Sequence, residues 1–155
     1  MLRDSILAGA TAGMAATLIK NIPNLILWKT GIVEYIYFHL AASALISPNE
    51  VGSPIGLLVG VVVDIITGGT LGILIIYFLK ITGKDYWWFK GLIVGNLIWL
   101  WGLGVAINFG VARIVPLDPV FRLTSLIEHQ IFGLAGSFLI IQWYPGRLAG
   151  IPNKE

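Results

Sequence analysis

The stretch IGLLVGVVVDIITGGTLGILIIYFL, residues 55–79, decides the fold, because it carries one charged residue among 25. At a rise of about 1.5 Å per residue, a helix of this length crosses the roughly 30 Å hydrocarbon core of a bilayer. A second stretch, FKGLIVGNLIWLWGLGVAINF (89–109), has a single lysine near its start. Together the two stretches predict an integral membrane protein.

The composition of the whole chain agrees with this class. Of its 155 residues, 57% are hydrophobic and 12% are charged, whereas a soluble domain carries about 25% charged residues. The absence of cysteine excludes disulfides, thiolate metal sites and cysteine nucleophiles. We expect one integral membrane domain over residues 1–155, surrounded by lipid. A net charge of only +2 gives no reason to expect nucleic-acid binding.

The apolar segments predict an all-α transmembrane four-helix bundle. A further apolar piece at residues 31–46 is short for a crossing and contains ionisable side chains. We interpret it as a short interfacial or re-entrant helix between the first two spans. The predicted spans lie at about 4–28, 55–80, 87–108 and 121–143.

The distribution of lysine and arginine predicts the orientation, because these residues are enriched on the cytoplasmic side. A four-span and a five-span topology both place six on one side and three on the other, so charge does not decide the number of spans. We expect a multi-pass protein of the cell membrane, with both termini and the 81–86 loop in the cytoplasm. For four spans, the six are Arg3, Lys80, Lys84, Lys90, Arg147 and Lys154, and the three are Lys29, Arg113 and Arg122.

Glycines predict where the helices pack closely. Small residues at positions i and i+4 let two helix backbones approach each other in lipid, where no hydrophobic drive brings helices together. Four such glycine pairs occur, so we expect tight contacts between spans. The predicted packing positions are Gly9, Gly13, Gly56, Gly60, Gly68, Gly72, Gly91, Gly95, Gly133 and Gly136.

Polar side chains lie on the same faces as these glycines. The segment SLIEHQIFG (125–133) places a carboxylate, an imidazole and an amide inside a predicted span. Counting from the helix ends puts one lysine and two carboxylates at a common depth, roughly 10–14 Å below the outer boundary. Ionisable residues inside a membrane usually face the bundle interior. We therefore predict a buried polar cluster of Lys20, Asn24, Asp64, Asn96, Glu128 and His129, with Asn21 nearby.

Three interpretations of the cluster remain open. In the favoured one, Lys20 pairs with Asp64 or Glu128, and the protein is a self-assembling unit or an accessory subunit of a larger membrane complex. In the second, an oligomer moves protons or small cations, because two carboxylates face one lysine beside a histidine. The third is b-type haem, for which His39 and His129 are the only candidate ligands.

Enzyme motifs do not occur in this sequence. There is no HExxH, no serine-centred GxSxG, no Walker loop and no GxGxxG. We therefore expect a non-enzymatic protein with no metal site, and no cofactor unless haem b is bound.

Four stretches of the chain have a recognisable pattern, namely RDSILAGATAGMAATLIKNIPNLI (3–26), FHLAASALI (38–46), GLIVGNLIWLWG (91–102) and SLIEHQIFGLAGSFLI (125–140). Together they resemble a family of small four-helix integral membrane proteins of spore-forming Gram-positive bacteria. The resemblance covers most of the chain and rests on loose, hydrophobic motifs. It supports four spans over five and implies no activity or site residue.

Overall fold

A computed structural model describes residues 4–144 of the chain, apart from the side chain of Ala106. Over that range the protein is all-helical, which confirms the predicted fold class. Arg3, Arg147 and Lys154, which contribute to the predicted orientation, lie outside the described residues. The helices are α1 (Ser5–Lys29), α2 (Tyr37–Ser43), α3 (Pro54–Thr82), α4 (Trp87–Trp99, continued by a π-helical segment, Leu100–Ala106) and α5 (Pro119–Trp143).

Four of these helices are long and apolar enough to cross a membrane, so the chain is a multi-pass membrane protein. They are α1, α3, α5 and the helix that runs from Trp87 to Val105. The short helix α2 lies between the first two of them, where the sequence predicted it.

Local signals explain where three of the long helices begin. Asp4, Ser53 and Asp118 each accept a hydrogen bond from a backbone N–H in the first turn of α1, α3 and α5, at 2.8, 3.0 and 2.8 Å. Such side chains satisfy one of the N–H groups that have no partner within the helix. In α3 and α5 a proline follows the cap, at a position where its missing N–H costs nothing.

The long helices lie side by side in the order α3, α1, α5, α4. Extensive contacts join α3 to α1, α1 to α5 and α5 to α4, whereas α3 and α4 touch only sparsely. The short helix α2 packs on α3. The main apolar core therefore runs along α1 and its neighbours, and its buried members are Ala8, Ala12, Ala16, Ile75, Ile76, Leu79, Val94, Phe132 and Ile140.

Glycines lie where these helices come closest. A Cβ atom added at Gly13 would overlap the carbonyl oxygen of Gly68 and come within 2.7 Å of the Cα of Gly72. In the same way, Cβ atoms at Gly91 and Gly95 would meet the backbone of α5. Hence α3 packs Gly68 and Gly72 against α1 and Gly60 against α2, and α4 packs Gly91 and Gly95 against α5. None of these glycines forms a close contact between α3 and α4.

Candidate functional site

Lys20 of α1 and Asp64 of α3 form a buried ion pair. The Lys20 Nζ lies 3.2 and 3.1 Å from the two Asp64 carboxylate oxygens, and the two residues are 5% and 7% exposed. Asn21 completes the group: its amide donates to Asp64 at 2.7 Å, and its carbonyl accepts from Lys20 at 3.0 Å. Each of the three ammonium protons of Lys20 thus has an oxygen to bond.

Asn24 joins three helices. Its Nδ2 donates to Oε1 of Glu128 at 2.9 Å, and its Oδ1 accepts from the backbone N–H of Tyr37 at 3.0 Å. Tyr37 is the first residue of α2, and the residue before it is isoleucine, which has no capping oxygen. The first turn of α2 therefore depends on a side chain from α1 for one of its N–H groups.

Glu128 is 1% exposed, yet only one of its oxygens is bonded. Its Oε2 is buried and has no hydrogen-bond partner among the described residues. Most buried polar atoms in proteins are hydrogen-bonded, so an exception calls for an explanation. Within the part of the chain that the structure covers, no lysine or arginine forms an ion pair with this carboxylate, because Lys20 pairs with Asp64 instead.

His129 is held by the fold in one orientation. Its Nδ1 lies 2.7 Å from the carbonyl oxygen of Ser125 and 3.1 Å from the hydroxyl of Tyr37. The Ser125 hydroxyl in turn accepts from Trp99 Nε1 at 2.9 Å, which fixes α4 to α5 beside the imidazole. The Tyr37 ring also packs edge-on against His129 at 5.2 Å.

The structure brings together five of the six predicted cluster residues. Lys20, Asn24, Asp64, Glu128 and His129 are all buried. Asn96 is not among them, because it is exposed on α4, where its Oδ1 accepts from Gln130 at 3.2 Å.

Two further residues belong to the cluster: Asn21, which the sequence placed near it, and Tyr37, which the sequence did not indicate. Tyr37 lies across its centre, with the Lys20 Nζ 4.3 Å above its ring and His129 at its hydroxyl. No signal in the sequence indicated Tyr37, because its helix is too short to have a readable period.

The two histidines lie in different surroundings. His39 packs against Trp28 and Tyr35, with ring centroids 5.7 and 5.9 Å apart, and its Nδ1 accepts from the N–H of Ile36 at 3.1 Å. His129 lines the cavity described next, and His39 does not. Haem ligation by both imidazoles stays a prediction. Of the two, the imidazole of His129 lines this cavity.

An open cavity of about 940 Å³ lies between α3 and α4, and several of its wall side chains are exposed. One end is polar, formed by Lys20, Tyr37, Asp64 and His129. The rest of the lining is almost wholly apolar. It includes side chains on one face of α3, which recur every three or four residues, and side chains on the π-helical part of α4. Such π-helical turns occur often at functional sites. The apolar wall residues that matter below are Leu71, Leu74, Phe78, Val94, Leu97 and Trp101.

Comparisons with models of known protein families, with curated proteins and with solved structures find no match. The resemblance to a family of spore-forming bacteria therefore stays a prediction. Among residues 4–144, no group of three or more His, Cys, Asp or Glu side chains is placed to hold a metal ion. The polar cluster and the cavity beside it are therefore the candidate functional site.

Proposed function

We propose that this chain is a non-enzymatic integral membrane protein that binds an amphipathic molecule from the bilayer in the cavity between α3 and α4. The observation that carries the proposal is the lining of the cavity, which is polar at one end and apolar along its walls. Binding sites for small molecules are mostly apolar, have a few placed polar groups and measure about 300–1,000 Å³. The cavity of about 940 Å³ has these properties.

The polar cluster supports this proposal by holding the site together. Lys20 and Asp64 link α1 to α3, while Asn24 and Glu128 link α1 to α5. Three helices are thus joined by buried polar contacts around the polar end of the cavity. A binding site supported in this way keeps its geometry when the ligand leaves.

The sequence predicts a homo-oligomer or an accessory subunit of a larger membrane complex. Either one would be the assembly in which this binding takes place. Native mass spectrometry of the protein extracted gently from its own membrane tests it. A multiple of the chain mass supports the homo-oligomer, additional chains support the accessory subunit, and a bare monomer contradicts both.

The same measurement tests the binding function through the bound ligand. We expect the wild-type protein to retain a small molecule of the bilayer after annular lipid is removed. Leu74→Trp combined with Leu97→Trp narrows the cavity from both walls and should remove that mass. Ile66→Trp combined with Ile93→Trp is the matched control, because these side chains are exposed on the same two helices but outside the cavity lining. Equal retention by both double variants, or no retained molecule in the wild type, would overturn the proposal.

Proton or cation translocation is the second candidate, favoured by the bare Oε2 of Glu128. A buried carboxylate oxygen without a donor is an energetic cost that proton transfer would explain. In proteoliposomes under a pH gradient, Glu128→Gln should then abolish a flux that the wild type supports. A wild type without flux, or a variant with unchanged flux, contradicts this candidate.

A further inference from the structure

We infer that the bound molecule is a neutral lipid that carries a hydroxyl group, and that Nε2 of His129 accepts the hydrogen bond from that hydroxyl. The inference rests on the proposed binding function and names the ligand class for the same cavity. It is carried by three features: the charges at the polar end, the hydrogen bonds of the imidazole, and the length of the apolar lining.

The charges at the polar end cancel. Lys20 and Asp64 are the only charged residues in the lining that the structure describes, and they form an ion pair with each other. All three protons of Lys20 are already directed at Asn21 and Asp64. A charged headgroup would have to leave water for a site with no free counter-charge, which is costly. The site therefore selects a neutral polar group.

The hydrogen bonds of His129 set the direction of the contact with the ligand. A carbonyl oxygen can only accept, so Nδ1 carries the proton that is donated to Ser125 at 2.7 Å. In the neutral imidazole the other nitrogen, Nε2, is then an acceptor. It has no hydrogen bond to any residue in the described part of the chain, although His129 lines the cavity. A ligand that satisfies Nε2 must donate, which a hydroxyl does and a ketone, ester or ether does not.

Tyr37 favours a hydroxyl over other donors. The single Nδ1 proton of His129 is directed at the Ser125 carbonyl, 2.7 Å away, so Nδ1 cannot accept the proton of the Tyr37 hydroxyl, which lies 3.1 Å from it. Both residues line the cavity. A ligand hydroxyl can donate to His129 and also accept from a neighbouring hydroxyl, which a group that only donates cannot do.

The apolar lining of the cavity is long enough for a hydrocarbon chain. On α3 it runs from Val63 to Ile81, which at about 1.5 Å per residue is roughly 27 Å. An extended lipid chain can lie along this lining with its polar end beside His129.

Photolabelling of the full-length protein in lipid nanodiscs tests the inference. Three probes share one alkyl chain with a diazirine and differ only at the end: a primary alcohol, its methyl ether and the carboxylate. We expect the alcohol to label the α3 and α4 walls, at Leu74, Phe78, Leu97 or Trp101, with about tenfold higher affinity than the ether, the factor given by one buried hydrogen bond. His129→Phe keeps a ring of similar size and should remove this preference, whereas Gln130→Leu, outside the lining, should keep it.

The outcomes separate the inference from the binding function. Wall labelling with equal affinity for alcohol and ether in the wild type would overturn the hydroxyl contact and leave the binding function standing. Preference for the carboxylate would overturn the neutral headgroup. No saturable labelling of the walls by any probe would overturn the binding function itself. The comparison of probes on the wild type decides the matter even where His129→Phe does not fold.

Discussion

Replacing Lys20 by methionine removes one charge from the buried ion pair while keeping a side chain of similar length. Asp64 would then keep only the 2.7 Å hydrogen bond from Asn21. Asp64→Asn removes the opposite charge of the pair and leaves the ammonium of Lys20 without a counter-charge. Breaking a buried pair from one side leaves an uncompensated charge and costs about 3–5 kcal/mol of unfolding free energy. The double variant carries neither charge, so we expect it to be more stable than either single variant.

The size of the coupling follows from the geometry. At the observed 3.1 Å separation and an effective dielectric constant of about 20, two unit charges attract by about 5 kcal/mol. Because both residues are more than nine-tenths buried, salt screens this attraction far less than at a surface. A coupling energy of roughly 3–5 kcal/mol between the two sites is therefore expected.

Equilibrium unfolding in mixed micelles, followed by circular dichroism and tryptophan fluorescence, measures this coupling as a double-mutant cycle. Lys84→Met is the control, because it removes a lysine that is exposed in the α3–α4 loop and should change stability by less than about 0.5 kcal/mol. A coupling below about 1 kcal/mol, or a double variant as unstable as Lys20→Met alone, would refute the reasoning.

Two further predictions use the same unfolding measurement. Gly13→Ala should lower stability by about 1–3 kcal/mol, because the added methyl group meets the backbone of α3. Gly102→Ala, whose methyl group would meet nothing within 4 Å, should change it far less, and equal losses would contradict the close contact. Asn24→Leu should cost about 2–6 kcal/mol, because it leaves the carboxylate of Glu128 and one N–H of α2 unbonded, at roughly 1–3 kcal/mol each. It should also speed hydrogen exchange across α2, and unchanged exchange there would show that α2 does not depend on this side chain.

Glycine spacing and polar stripes anticipated much of this structure for a physical reason. A residue such as Lys20 or Asp64 is tolerated in a span only where it faces a partner, so its helix face can be read from the sequence. The same reading could have placed Asn96 correctly. It follows Gly95, which faces α5, and neighbours on a helix point about 100° apart.

The cavity could not be read from the sequence, because it depends on how the helices share their faces. The short α3–α4 connection suggests that these helices are neighbours. Their packing glycines, however, face α1, α2 and α5, and α3 and α4 touch only sparsely. The spacing of residues shows which face of each helix is packed. It does not show which other helix contacts that face. The position of Tyr37 depends on the same pairing, because α2 is placed by contacts with α1 and α3.

The order in which the chain is synthesised gives the ion pair a second consequence. Lys20 enters the membrane with the first span, but Asp64 lies 44 residues later, and Glu128 follows Asn24 by 104. At roughly 5–20 residues per second, the lysine waits about 2–9 s for its counter-ion. A lysine near the centre of a span opposes insertion by about 2.5–3.5 kcal/mol. The first span must therefore stay beside the insertion machinery until the second arrives, and nascent chains truncated before residue 64 should integrate less efficiently than chains that extend beyond it.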